Sequence, residues 1–292
     1  MSHLLRCLAL GLSVTIAGLA CAAPAGSSRP AVAKPAAPAK PAVAEAAPAP
    51  DPAAPPAGAE PADPAKAKPA LVQLDANRFK IGEVEFNQQT RVIRFPAILN
   101  QREGLLEYVI VHDKGKVHES LLRTAINPTH LNIALKLVRY QCSPELFSPP
   151  NEDGAPGGRH PVVPPAIKAA ARVDIRMLWK DGETEHDASV NECINNTKND
   201  KVMAPGPWIY GGSAVFEGRF VAEMTGDIVA ILTNEAAIFN YPGDNNRVGE
   251  NYGDWFVLTK GVPAVGTPIT VEIRPWSPAA AKPHPETPKS RH

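Results

Sequence analysis

From Pro24 to Ala70 the chain reads PAGSSRPAVAKPAAPAKPAVAEAAPAPDPAAPPAGAEPADPAKAKPA, without an aromatic residue, a leucine or an isoleucine. No other stretch constrains folding as much, because proline, alanine and scattered charge cannot bury enough apolar surface to offset the entropy lost on ordering. Residues 24–70 are therefore expected to form a disordered linker. Stiffened by proline at about 3.1 Å per residue, it holds a domain on the order of 100 Å from its attachment point. The tail over 277–292 has the same composition and the same expectation. What remains to fold is 71–276, long enough for a single substantial core.

Ahead of the linker, MSHLLRCLALGLSVTIAGLACAA (1–23) places Arg6 before an apolar run that ends in small residues. That is the build of a secretory signal peptide, so the expected location is the periplasm or cell envelope. Three processing routes fit these residues. Ala20 and Ala22 frame a site for ordinary signal peptidase. Gly18-Leu19-Ala20-Cys21 is similar to a lipoprotein box with its leucine one position late, which would lipidate Cys21. An uncleaved anchor is the third route. Lysine plus arginine equals aspartate plus glutamate, 30 against 30, which leaves no basic field for nucleic acid. Membrane contact is expected only through the signal or a lipid anchor.

Within the folding unit two cysteines remain, Cys142 and Cys193. In an oxidising compartment a disulfide between them is the default expectation, with two buried thiols or a redox pair with an outside partner as the alternatives. No C-x-x-C occurs, so this chain alone holds neither an iron-sulfur cluster nor a zinc knuckle of that spacing.

The hydropathy pattern reads mostly as strands. RFKIGEVEFN (78–87) and RVIRFPA (91–97) alternate, the second being expected to stop at Pro96. LLEYVIVH (105–112) is apolar on both faces and belongs at the centre of a sheet. The turn Asp113-Lys114-Gly115-Lys116 is read as a hairpin into VHESLL (117–122). Asn127 then caps a helix whose first residue is Pro128, and THLNIALKLVRY follows. Only Asn132, Lys136 and Arg139 form a polar stripe on it, so this helix, about 128–140, is expected to be buried over most of its circumference. Residues 143–170 are crowded with proline and glycine and are expected to be irregular. RVDIRMLW and TEHDASV form a second hairpin with Asp181-Gly182 at its tip. A helical turn near VNECINN and further strands complete the unit. The expected class is α+β, with mainly antiparallel sheet, one principal buried helix and long Pro/Gly-rich loops.

GEVEFNQQTRVIRFPAILNQREGLLEYVIVHDKGKVHESLLRTAINPTHLNIALKL, with TGDIVAILTNEAAIFNYPGD, resembles the YdjY-type domain of exported bacterial proteins over nearly all of the folded unit. The resemblance implies export and assigns no activity. Some members carry a ferredoxin-like label, which this chain's cysteine spacing does not match.

Three places offer chemistry. HDKGKVHESLLRTAINPTH (112–130) gathers His112, His118, Glu119 and His130, nitrogen and oxygen donors that a divalent metal such as zinc accepts. A three-residue turn would pair His112 directly with His118, whereas a two- or four-residue turn puts them on opposite faces. The bland reading is that His112 and His118 cap a hairpin while His130, at the start of the helix, hydrogen-bonds within the core. Ser120 lies two residues from His118, roughly 6–7 Å along a strand, too far for activation as a nucleophile. NYPGDNNRVGENYGDWF (240–256) collects Asp244, Asn245, Asn246, Glu250, Asn251 and Asp254, hard donors that calcium uses, without the order of an EF-hand loop. Trp208, Tyr210, Trp255 and Phe256 line either a groove or the core.

The reading these features support is a non-catalytic binding or structural module on a flexible stalk, meeting an envelope protein, a wall polymer or a small ligand. The alternative is a metal-dependent or redox-accessory enzyme using His118, Glu119 and His130.

Overall fold

The computed structural model describes residues 70–149, 151, 159–243 and 253–278. The expected signal peptide, Cys21, nearly all of the expected linker and tail, and Asp244, Asn246 and Glu250 of the Asx-rich loop lie outside the described residues.

In chain order, β1 (Leu71–Gln73), β2 (Arg78–Ile81) and β3 (Val84–Asn87) form an antiparallel meander into β4 (Ile93–Leu99). The pair β5 (Tyr108–His112) and β6 (Ser120–Thr124) precedes helices α1 (Pro128–Leu137) and α2 (Pro165–Ala171). The long strand β7 (Arg172–Asp181) turns at Gly182 into β8 (Thr184–Ser189). Short strands follow: β9 (Ile194–Asn196), β10 (Lys201–Val202), β11 (Trp208–Tyr210), β12 (Val215–Phe216) and β13 (Arg219–Phe220). Helix α3 (Val221–Thr225) leads to β14 (Asp227–Ala230), β15 (Phe239–Asn240), β16 (Trp255–Val257) and β17 (Pro268–Pro275).

Eight of these strands close on themselves in the order β4, β17, β7, β11, β15, β14, β5, β6, with β6 returning to pair with β4 at Ile98↔Arg123 and Leu99↔Leu122. The protein is therefore mainly β, a closed barrel with small helices. This corrects the expected α+β class with its principal buried helix. Alternation places Ile93, Phe95, Ala97 and Leu99 of β4 in the core, in register with Ile269, Val271 and Ile273 of β17 and Val173, Ile175 and Met177 of β7. On the opposite face a ladder of charge crosses the same strands: Arg94 meets Glu272 at 2.6 Å, Arg274 meets Asp174 at 2.9 Å, and Arg176 meets Asp187.

Strand β4 runs through Pro96 instead of stopping there. Before Pro96 its flank is paired with β3, through Glu85↔Arg94 and Phe86↔Ile93. After Pro96 that flank passes to β6. The proline falls where the partner changes, so its missing N–H interrupts no ladder.

The expected hairpin across residues 113–116 does not form. After the turn, the chain makes a short 3₁₀ turn at Val117–Glu119 and runs back to the start of β5. There Glu107 N–H donates to Glu119 O at 3.0 Å, and β6 lies parallel to β5 with Tyr108↔Ser120 and His112↔Thr124. Two things drive this return. Leu121 and Leu122 are both wholly buried, which a hairpin at the sheet edge would not achieve, and β6 is the strand that seals the barrel against β4. A matching parallel pair, β14 with β15, lies next to β5 across an antiparallel contact.

Helix α1 begins as the sequence implies, with the Asn127 side chain accepting from the Thr129 N–H at 2.7 Å and Pro128 in the first turn. It ends earlier, at Leu137, ahead of Arg139 at φ 65°. It buries only Pro128, Leu131, Ala134 and Leu135, while Leu137 is 38% exposed. A closed barrel already contains its own core, so a helix laid against it needs one apolar face. Helix α2 was not foreseen within the proline-rich stretch; its run Ala166-Ile167-Lys168-Ala169-Ala170-Ala171 supplies the propensity once Pro165 has set the first turn.

This packing predicts that Leu99→Ala, at the seam, costs about 2–5 kcal/mol of stability in denaturant unfolding. Leu137→Ala costs at most about 1 kcal/mol. Similar losses at both positions would contradict the one-faced packing of α1.

Candidate functional site

The four residues nominated for a metal do not converge. His112 sits at the end of β5, where its Nδ1 accepts from the Lys114 N–H at 3.0 Å. His118 projects to solvent from the 3₁₀ turn and meets its neighbour Glu119 at 3.1 Å. His130 lies across the β2–β3 turn: a Cβ on Gly82 would come within 2.3 Å of its Nδ1. Burial pushes the His130 pKa below the ordinary range, against the pull of Glu223. Among the described residues no group of three or more histidine, cysteine, aspartate and glutamate side chains is placed to hold a metal ion. Ser120 is buried, its hydroxyl donating to Lys116 O at 2.7 Å.

Of the calcium candidates only Asp254 is described, and it is buried with an ion pair to Lys198 at 2.7 Å. Of the aromatic set, Trp208, Tyr210 and Trp255 belong to the core, while Phe256 is half-buried. Trp208 and Tyr210 are fully buried, Trp208 Nε1–H donates to Asn191 at 2.9 Å, and Tyr241 bridges Trp208 and Trp255 with ring centroids 5.4 and 5.8 Å away.

The expected Cys142–Cys193 bridge is absent, and both thiols are free. Cys193 is wholly buried and lies 3.5 Å from the Gly261 carbonyl, whereas Cys142 is exposed, packed beside Gly212. The two cysteines lie on separate connections of the fold: Cys142 follows α1 and Cys193 closes the 3₁₀ turn after β8.

What the fold does assemble is a cleft against the β7–β8 hairpin. Strict pairing about the Gly182 turn sets Trp179 opposite His186, and their rings stack at 4.8 Å with planes 6° apart. The stacked pair is half-buried and borders two depressions. One, of about 970 Å³, is walled by Glu192, Asn195, Asp200, Lys260 and Val262 with Asp181 at the hairpin tip. The other, of about 440 Å³, is walled by Leu178, Glu185, Pro268 and Thr270. Aromatic surface flanked by carboxylate, amide and ammonium groups is the usual chemistry of a site that holds a polar ligand by one apolar face. The sequence placed the hairpin but not its register: a tip at Asp181-Gly182 would pair residue 179 with 184, whereas the observed turn at Gly182-Glu183 pairs it with 186.

A second assembly, also missed, joins the two parallel strand pairs. Lys116 Nζ donates to the Tyr108 hydroxyl at 2.5 Å and lies 4.7 Å from its ring centroid. Asn234 Nδ2 donates to the same hydroxyl at 3.1 Å and to Asp227 Oδ2 at 2.9 Å, while its backbone N–H donates to Asn240 at 2.7 Å. Burial first, then Asp227, raises the Tyr108 pKa, with Lys116 and Asn234 partly offsetting them. Burial works against the Lys116 charge, but Tyr108, Asp227 and Glu107 outweigh it and hold its pKa above the ordinary value. The phenol therefore stays protonated and the lysine charged at neutral pH, which suits a fixed polar clasp and not a general base.

A scan against protein-family models and searches of curated proteins and of solved structures found no match to this chain.

The two thiols are expected to differ sharply. Burial pushes the Cys193 thiol up to about 12, and only the thiolate reacts with an alkylating agent. Iodoacetamide on the native protein followed by peptide mapping should label Cys142 and leave Cys193 free until denaturant is added. Labelling of both, or a peptide linking the two, would contradict the arrangement.

Proposed function

We propose that this is an exported, non-catalytic module of the cell envelope that binds a wall glycan polymer in the cleft beside the β7–β8 hairpin. Export rests on the signal-like 1–23, and the Pro/Ala linker supplies the reach to scan a polymer from a fixed point. The observation that carries the reading is the Trp179–His186 stack, bordered on both sides by open depressions with polar walls. A chain of sugar rings has apolar C–H faces and a rim of hydroxyl and amide groups, so it needs an aromatic platform with polar groups along its edges. Asp181, Asn195, Asp200 and Lys260 are placed to meet that rim. Two depressions sharing one platform suit an extended chain better than a compact ligand.

The test is a titration of the purified protein with soluble wall-derived oligosaccharides, read by intrinsic tryptophan fluorescence and calorimetry. Saturable binding is expected, and His186→Ala should weaken it by about tenfold, equivalent to about 1.4 kcal/mol, with the melting temperature little changed. No binding by the wild type, or equal binding by His186→Ala, would overturn the reading.

A further inference from the structure

The clasp between the parallel strand pairs has walls more deeply buried than the group that fills it. Tyr108 and Asp227 open strands β5 and β14 and are almost completely buried, with relative exposures of 4% and 2%. Asn234 is anchored from both ends: its backbone N–H donates to Asn240, and its side-chain oxygen accepts from the Ala236 N–H at 2.9 Å. Lys116 is different. Its side chain is 49% exposed, it reaches in from the loop between β5 and β6, and its ammonium stops 4.0 Å from Asp227 Oδ2. The other carboxylate oxygen of Asp227, Oδ1, is buried and has no hydrogen-bond partner.

These groups define the requirements of an ammonium site: a phenolic oxygen that accepts and a buried carboxylate with an oxygen still unengaged. We propose that the niche between Tyr108 and Asp227 is a binding site for a primary ammonium group, and that Lys116 occupies it in cis as a displaceable plug. The ligand class is small primary amines and amine-bearing termini. Three N–H donors are required, one for the Tyr108 hydroxyl and others for Asp227, and the group must be small enough to sit where Nζ sits. A quaternary ammonium meets the charge requirement but has no donors. Displacing Lys116 costs little buried contact, because half of its side chain is already in water. The preformed walls lower the cost of binding, since they need no reordering.

The test uses the full chain and methylammonium chloride as the probe, with tetramethylammonium chloride and sodium chloride at equal ionic strength as controls. Lys116→Ala should lower the melting temperature, and methylammonium should restore about half or more of the loss in a saturable way. The controls should restore none of it, and adding Asp227→Asn should abolish the rescue. Rescue absent, or matched by tetramethylammonium or sodium, would overturn the proposal and leave Lys116 as a strut. Should Lys116→Ala not fold, the wild type gives a second readout: the ¹⁵N ammonium resonance of Lys116 should shift saturably with methylammonium and not with tetramethylammonium. Equal response to both salts, or to neither, would overturn the proposal there as well.

Discussion

The short seam between β4 and β6 decides the architecture. Without Ile98↔Arg123 and Leu99↔Leu122 the strands would form an open, twisted sheet with two long edges; with them, eight strands enclose a core. The seam in turn depends on the direction of β6. A hairpin would leave β6 antiparallel to β5, whereas the observed return sets it parallel. Asn100 fastens that return, its side-chain amide donating to Ser120 O at 2.9 Å and to Val117 O, and its backbone N–H donating to Leu121 O. Gly115 and Gly226 let the loop lie close to its neighbour: a Cβ on Gly115 would come within 3.1 Å of the Thr225 carbonyl, and one on Gly226, at φ 80°, within 3.0 Å of the Gly115 Cα.

The clasp around Tyr108 follows from this crossing. Two parallel pairs meet back to back, and each sends a loop across the shared contact, one delivering Lys116 and the other Asn234. Burying a carboxylate there is tolerable because Asn234 donates to it and Lys116 stands near with positive charge. The same low-dielectric surroundings that raise the Tyr108 pKa keep the phenol neutral, so its oxygen accepts from Lys116 and Asn234 without the ring ionising.

Much of the local structure was legible in the sequence, and the errors share one cause. The Asn127 cap, the β7–β8 hairpin (with its tip one residue later, at Gly182-Glu183) and a doubly buried strand within 105–112 (observed as Tyr108–His112) were read from local chemistry and are present. The parallel return after His112, the passage of β4 through Pro96 and the exposed face of α1 were misread, because each depends on a partner distant in the chain. Arg94 and Glu272 pair across 178 positions, and no local periodicity carries that information. The histidines illustrate the point: their density in 112–130 suggested one site, but the strand end, the 3₁₀ turn and helix α1 carry His112, His118 and His130 to three different surroundings. The Trp179–His186 pair depends on a turn one residue later than the expected Asp181-Gly182 tip, and the depressions beside it are walled by Pro268, Val262 and Lys260 from distant parts of the chain.

Barrel and cleft are linked, since β7 contributes Val173, Ile175 and Met177 to the enclosed core and Trp179 to the platform beyond it. The cleft keeps its shape as long as the barrel stays closed. The most direct test of closure is the pattern of backbone nuclear Overhauser effects around β6 in isotopically labelled protein. Contacts from Leu122 to both Ile110 and Leu99, with Ser120 near Tyr108, are the predicted outcome. Contacts joining His112 to Val117 and Val111 to His118 in an antiparallel ladder, with none between β6 and β4, would contradict the closed barrel.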